Sequence, residues 1–132
     1  MFNKDRLKQY LKDLKINEND YIIIAGGSLV MQNIKETTED IDLDVSKKAF
    51  DVLAKKFDVH LSSKPYPKHY YVNDDVEVVL VDDLSTINRI NVDGFYCTTL
   101  EDEYKWKKEH AREKDKEILS KIEEILSTKE VR

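Results

Sequence analysis

The chain is poor in the residues that build covalent or metal-stapled scaffolds. Its single cysteine, Cys97, excludes an internal disulfide and leaves no cysteine pair for a structural zinc site. Cys97 falls in the apolar-aromatic run Gly94-Phe95-Tyr96-Cys97, where a free thiol is expected as a small core residue. There are three glycines and two prolines, and no low-complexity tract, internal repeat or linker divides the sequence. A single domain over residues 1–132 is therefore expected. No run approaches the roughly 20 apolar residues that a membrane helix needs, and no apolar stretch follows the start, so a soluble cytoplasmic protein is expected. A basic excess is also missing. With 22 Lys and Arg against 27 Asp and Glu, the net charge of -5 speaks against a protein that coats nucleic acid by neutralising phosphates.

What is present suffices for a folded domain. Apolar residues make up 40% of the chain, with seven Tyr, four Phe and one Trp, enough to fill a core; the 37% of charged residues makes a heavily solvated surface. Leu7, Leu11 and Leu14 recur at helical spacing and predict an amphipathic first helix. The β-branched run Tyr21 to Ala25 reads as a strand buried on both faces. Gly26-Gly27-Ser28 breaks it, and Leu29 to Ile34 reads as a brief helix. After the loop Lys35 to Glu39, Asp40-Ile41-Asp42-Leu43-Asp44-Val45 alternates strictly, acids on one face and apolar residues on the other.

Ser46 to Phe57 predicts a helix through Phe50, Leu53, Ala54 and Phe57. Strands are expected at Val59 to Ser62, His69 to Val72, Val76 to Val81 and Phe95 to Cys97, with Pro65 and Pro67 fixing a loop. Thr99-Leu100-Glu101-Asp102 resembles a helix cap, and one helix is expected from there to about Thr128, with Ile118, Leu119, Ile122, Ile125 and Leu126 inward. The fold class is α/β (α+β), a mixed sheet flanked by helices with a long C-terminal helix.

Two elements carry chemistry. Adjacent glycines between a strand and a helix permit a tight turn and let a ligand approach the backbone closely. Ser28 follows near a helix N-terminus, where free N–H groups favour an anion such as phosphate. An ordinary tight turn would read the same way. In the acidic strand, Asp40 and Asp42 project from one face with Cα atoms roughly 7 Å apart. Carboxylates so placed repel unless a cation lies between them, and Mg²⁺ prefers one or two carboxylates plus phosphates and water. A solvated acidic edge strand is the competing reading. None of His60, His69 and His110 has metal-ligand spacing, and none is expected at a site.

Taken together, Gly26-Gly27-Ser28, eleven intervening residues and Asp40-Ile41-Asp42-Leu43 resemble the signature of the nucleotidyltransferase superfamily, which includes polymerase-β-like enzymes. Thr37-Thr38-Glu39 resembles the polar lead-in of that family. Asp42-Leu43-Asp44 offers the same spacing, but the wording around Asp40 and Asp42 is nearer to the pattern. A second similarity covers Thr99-Leu100-Glu101-Asp102, Trp106-Lys107-Lys108 and Arg112-Glu113-Lys114-Asp115. These resemble the closing helix of small nucleotidyltransferases of the abortive-infection toxin type.

The resemblance implies an enzyme that moves a nucleoside monophosphate from an NTP to an acceptor hydroxyl, in an RNA end, a protein or a small molecule. Asp40 and Asp42 would bind Mg²⁺ or Mn²⁺ together with a third carboxylate, Glu77, with Asp75 as the fallback. Gly26, Gly27 and Ser28 would cradle the triphosphate. Lys107 and Arg112 would neutralise phosphate charge, with Lys114 behind them; simple solvation of a charged helix is the competing reading. Asp115 would pair with a nearby base. The family often carries a further acceptor domain, so a second copy or a partner protein would supply that surface here. A non-catalytic nucleotide-binding or partner-binding module of the same fold, for instance in a toxin–antitoxin or phage-defence pair, is the alternative.

Overall fold

The computed structural model describes residues 1–130, and the chain forms two compact units divided in sequence between Thr98 and Thr99. The first unit opens with helix α1 (Lys4–Leu14), capped by the Asn3 side chain, which accepts from the Arg6 N–H at 2.9 Å. Strand β1 (Tyr21–Ile24), helix α2 (Ala25–Met31), strand β2 (Ile41–Val45) and helix α3 (Lys47–Lys56) follow. Strands β3 (His60–Leu61), β4 (His69–Tyr71), β5 (Val76–Leu80), β6 (Arg89–Val92) and β7 (Phe95–Thr98) complete the unit. They form one mixed sheet in the order β3-β4-β5-β2-β1-β7-β6.

Strand β2 lies inside this sheet, antiparallel to β1 and parallel to β5. Its alternation sends Ile41, Leu43 and Val45 to one face, where each is fully buried, and Asp42 and Asp44 to the other, where each is half-buried. The apolar face also carries Tyr21 and Ile23 of β1 and Val76 and Val78 of β5. Leu7, Leu11 and Leu14 of α1 and Ala49 and Leu53 of α3 belong to the same buried cluster. Each fully buried aliphatic side chain contributes about 1.5–3 kcal/mol of transfer free energy, so this face holds the sheet and helices together. Cys97 lies in that core as expected, and burial pushes its thiol up to about 12.

The structure departs from the sequence reading in three places. Strand β6 was not expected, because Arg-Ile-Asn-Val at a sheet edge buries too little to show an apolar pattern. Its signal is the turn: Asp93 and Gly94 have φ of 54° and 90°, the positive pair that joins β6 to β7 in a tight hairpin. Secondly, α2 begins four residues before the expected helix and takes Gly26, Gly27 and Ser28 into its first turns. A Cβ on Gly26 would lie 2.5 Å from Thr38 Oγ1, and one on Gly27 would lie 2.9 Å from Ile23 Cγ2. The glycines therefore let α2 press onto β1 and onto the segment before β2. Thirdly, the long helix expected in the second unit is two. Helix α4 (Leu100–His110) is capped by Thr99 and ends where Ala111 turns left-handed at φ 48°; α5 (Lys116–Glu130) starts after a single 3₁₀ turn. Arg112 is extended at the break, and its Nε donates to the buried Asp115 carboxylate at 2.6 Å, the pairing expected for Asp115. The stripe of α5 is as expected, with Ile122 fully buried and Ile118, Leu119, Ile125 and Leu126 half-buried.

If Gly27 is glycine for the contact with Ile23, Gly27→Ala lowers the unfolding free energy by about 1–3 kcal/mol without any ligand present. Urea denaturation followed by circular dichroism reads this directly; a change within about 0.5 kcal/mol, as at an ordinary surface position, contradicts it.

Candidate metal and nucleotide site

The face of β2 opposite the core gathers the titratable groups. Strands β2 and β5 run parallel with Asp42 opposite Glu77, so both carboxylates leave the sheet on the same side. Strand β4 adds Tyr71 directly opposite Glu77, and His69, two residues earlier, stands on the same face. Ligand atoms of Asp42, His69 and Glu77 all lie within 4.8 Å of one another. Metal bonds of about 2.0–2.2 Å place neighbouring donor atoms roughly 3–4 Å apart, so this group fits one cation with small side-chain adjustments.

The surroundings orient each member. Glu77 is 8% exposed, and its Oε1 accepts from Lys64 Nζ at 2.6 Å and lies 3.4 Å from His69 Nε2. The other ring nitrogen, His69 Nδ1, is 2.6 Å from Ser62 Oγ, a hydroxyl that can accept from an N–H or donate to a bare nitrogen. Lys64 projects from the loop between β3 and β4 that carries Pro65 and Pro67. Its pKa is raised, first by the hydrogen bond to Glu77 and further by the charges of Glu77 and Asp42. That of His69 is lowered chiefly by burial, with Lys64 adding to the lowering and Glu77 opposing it.

The glycine turn stands at the same end of β2. Ile24, the last residue of β1, is the cross-strand partner of Asp42, and α2 begins at the next residue. That junction residue, Ala25, has φ of 54°, a left-handed conformation uncommon for a residue with a Cβ. Ser28 is fully buried; its Oγ donates to the Thr98 carbonyl at 2.9 Å and accepts from Gln32 Nε2 at 3.0 Å. Thr38 Oγ1, against Gly26, donates to the Asp40 carbonyl at 3.0 Å and fixes the chain just before β2.

Of the residues expected at a metal, the structure brings Asp42 and Glu77 together. It adds His69, which sequence reasoning had set aside, and places Asp40 just before β2, outside the three-residue cluster. No histidine was expected beside the acids: His69 is far from Asp42 in sequence, and the β4–β5 pairing closes the distance. A signal did exist, since His69 alternates with Tyr71 in a strand-like run two elements from the acids. Lys107 and Arg112 belong to the second unit, where each has an acidic partner. Buried Lys107 lies 3.4 Å from Glu103, and Arg112 pairs with Asp115 and stacks 4.7 Å from the Trp106 ring centre. Lys114 belongs to the exposed 3₁₀ turn.

Neither a protein-family model, nor a curated protein, nor a solved structure matches the chain.

The lowered pKa of His69 has a sign that can be measured. The folded protein binds this proton less readily than the unfolded chain, whose imidazole titrates near 6.5, so the neutral ring adds stability above that pH. The contribution is lost as pH falls through 6.5 towards the folded value. With metal absent, the urea midpoint of the native chain should therefore fall more steeply between pH 7.5 and 5.5 than that of His69→Gln. Equal slopes would contradict the assignment.

Proposed function

We propose that this chain is a metal-dependent nucleotidyltransferase that moves a nucleoside monophosphate from an NTP to an acceptor hydroxyl. The observation that carries the reading is the register of three adjacent strands. It sets Asp42 beside Glu77 on one face and ends β1 at the glycine turn immediately beside Asp42. It supports the reading of Gly26-Gly27-Ser28 and Asp40-Ile41-Asp42 as the two parts of one site.

A divalent ion held there would supply charge neutralisation for the transferring phosphoryl group and for the pyrophosphate that leaves. The chain's own residues do the remaining work in this reading. Asp42 and Glu77, with Asp40 at the entrance to β2, hold the ion; the sheet fixes the first two carboxylates so that little reorganisation is needed. The backbone of Gly26 and Gly27 borders the triphosphate, while the buried Ser28 hydroxyl anchors α2 to the Thr98 carbonyl. Lys64, at 2.6 Å from Glu77, is the cation already placed at the acids.

The alternative is a non-catalytic nucleotide-binding or partner-binding module of the same fold. The Lys64–Glu77 pair favours it, because a lysine on the third carboxylate could serve as a permanent counter-ion. The discriminating assay offers α-labelled NTPs with Mg²⁺ or Mn²⁺ to a mixed pool of RNA, protein and small-molecule acceptors. Transfer by the native chain is expected. Asp42→Asn should reduce it by more than the ~10–100-fold that loss of an outer-shell metal partner costs. Metal-dependent nucleotide binding without transfer would move the assignment to the binding module, and neither binding nor transfer would remove both.

A further inference from the structure

We infer that Asp42, His69 and Glu77 form a mixed carboxylate–imidazole site selective for a first-row transition ion such as Mn²⁺ over Mg²⁺, and that the Lys64 ammonium occupies this site until the ion displaces it. The inference rests on the metal-binding part of the reading above and departs from it in the ligand set, the ion and the gate.

The imidazole sets the selectivity. Mg²⁺ and Ca²⁺ take oxygen ligands almost exclusively, whereas imidazole suits Fe²⁺, Ni²⁺ and Zn²⁺, and Mn²⁺ is the hardest and weakest-binding ion of that transition series. His69 is 6% exposed and held from both sides: Nε2 lies 3.4 Å from Glu77 Oε1, and Nδ1 lies 2.6 Å from Ser62 Oγ. Ligating histidines are commonly oriented by a partner on the second ring nitrogen, and Ser62 supplies it. Because a hydroxyl both donates and accepts, Ser62 serves either neutral tautomer. Without an ion, the Nε2–H can face Glu77 while Ser62 donates to Nδ1. With an ion, Nε2 turns its lone pair to the metal and the Nδ1–H donates to Ser62. The proton relocates from one ring nitrogen to the other, and the ring gains and loses none.

The lysine sets the gate. Asp42 and Glu77 together carry two negative charges, and Lys64 cancels one of them through the 2.6 Å contact with Glu77 Oε1. A divalent ion cancels both, and it competes with the ammonium for the Glu77 carboxylate. The Lys64 side chain is 44% exposed against 10% for that of Glu77. It belongs to a loop rather than a strand, so it can move to solvent without breaking a sheet hydrogen bond. A partly buried acid pair would otherwise repel in the metal-free protein, and the tethered ammonium suppresses that repulsion while weakening affinity for the ion.

The test is Mn²⁺ binding to the full chain without nucleotide, followed by loss of the free-ion electron paramagnetic resonance signal, with Mg²⁺ as competitor. The native chain should bind Mn²⁺, with Mg²⁺ competing only at much higher concentration. His69→Ala should weaken Mn²⁺ binding at least ~10-fold and erase the preference. His69→Gln, which keeps the bulk of the side chain, should do the same if the alanine variant unfolds. Lys64→Met should tighten binding several-fold. Mn²⁺ binding unchanged in both histidine variants, equal competition by Mg²⁺, or no gain in Lys64→Met would overturn the inference. Label transfer by the native chain alongside such a failure would leave the enzyme reading standing. Histidine-dependent Mn²⁺ binding without transfer would sink the enzyme reading and keep the site.

Discussion

Strand β2 has hydrogen-bonded neighbours on both sides, and the alternation of its residues therefore decides two things at once. Ile41, Leu43 and Val45 must enter the core shared with α1 and α3, and that leaves Asp42 and Asp44 no choice of face. A one-residue slip would bury the carboxylates and expose the aliphatic residues, so the hydrophobic face fixes the register. The register in turn sets Asp42 beside Glu77. The acid pair is thus a consequence of core packing, and everything gathered round it answers to two adjacent carboxylates on a partly buried surface. Lys64 Nζ and His69 Nε2 both face Glu77 Oε1, and Ser62 Oγ lies against His69 Nδ1.

The glycine turn is bound to the same frame. The close approach of Gly26 to Thr38 and of Gly27 to Ile23 draws α2 against β1 and against the entry to β2. The Thr38 hydroxyl then donates to the Asp40 carbonyl, so Gly26 and the first acid are linked through a single side chain. Packing alone accounts for both glycines. At the junction itself Ala25 turns left-handed, with φ of 54°.

Much of this was legible in the sequence wherever burial wrote a period into it. The leucines of α1 and the alternating acids of β2 each belong to an element with one dry and one wetter face, and each was read correctly as to element and side. Where burial is slight, the pattern fades: β6 presents Arg89 and Asn91 with an exposed Ile90, and the Asp93-Gly94 turn was its one usable mark. The break at Ala111 and Arg112 was hidden because neither residue is a helix breaker. It depends on Arg112 reaching the buried Asp115 and the ring of Trp106. The position of His69 beside the acids was illegible for a different reason. Its place at the site depends on which strands pair, and strand order is a property of the sheet rather than of any local run of residues.

The most direct measurement is a crystal structure of the chain soaked in Mn²⁺, read by anomalous scattering at the manganese edge. The account predicts one ion bonded at about 2.2 Å to carboxylate oxygens of Asp42 and Glu77 and to His69 Nε2, with Lys64 withdrawn from Glu77. An ion bound elsewhere, or density for Lys64 unmoved on Glu77 with no ion beside it, would contradict it.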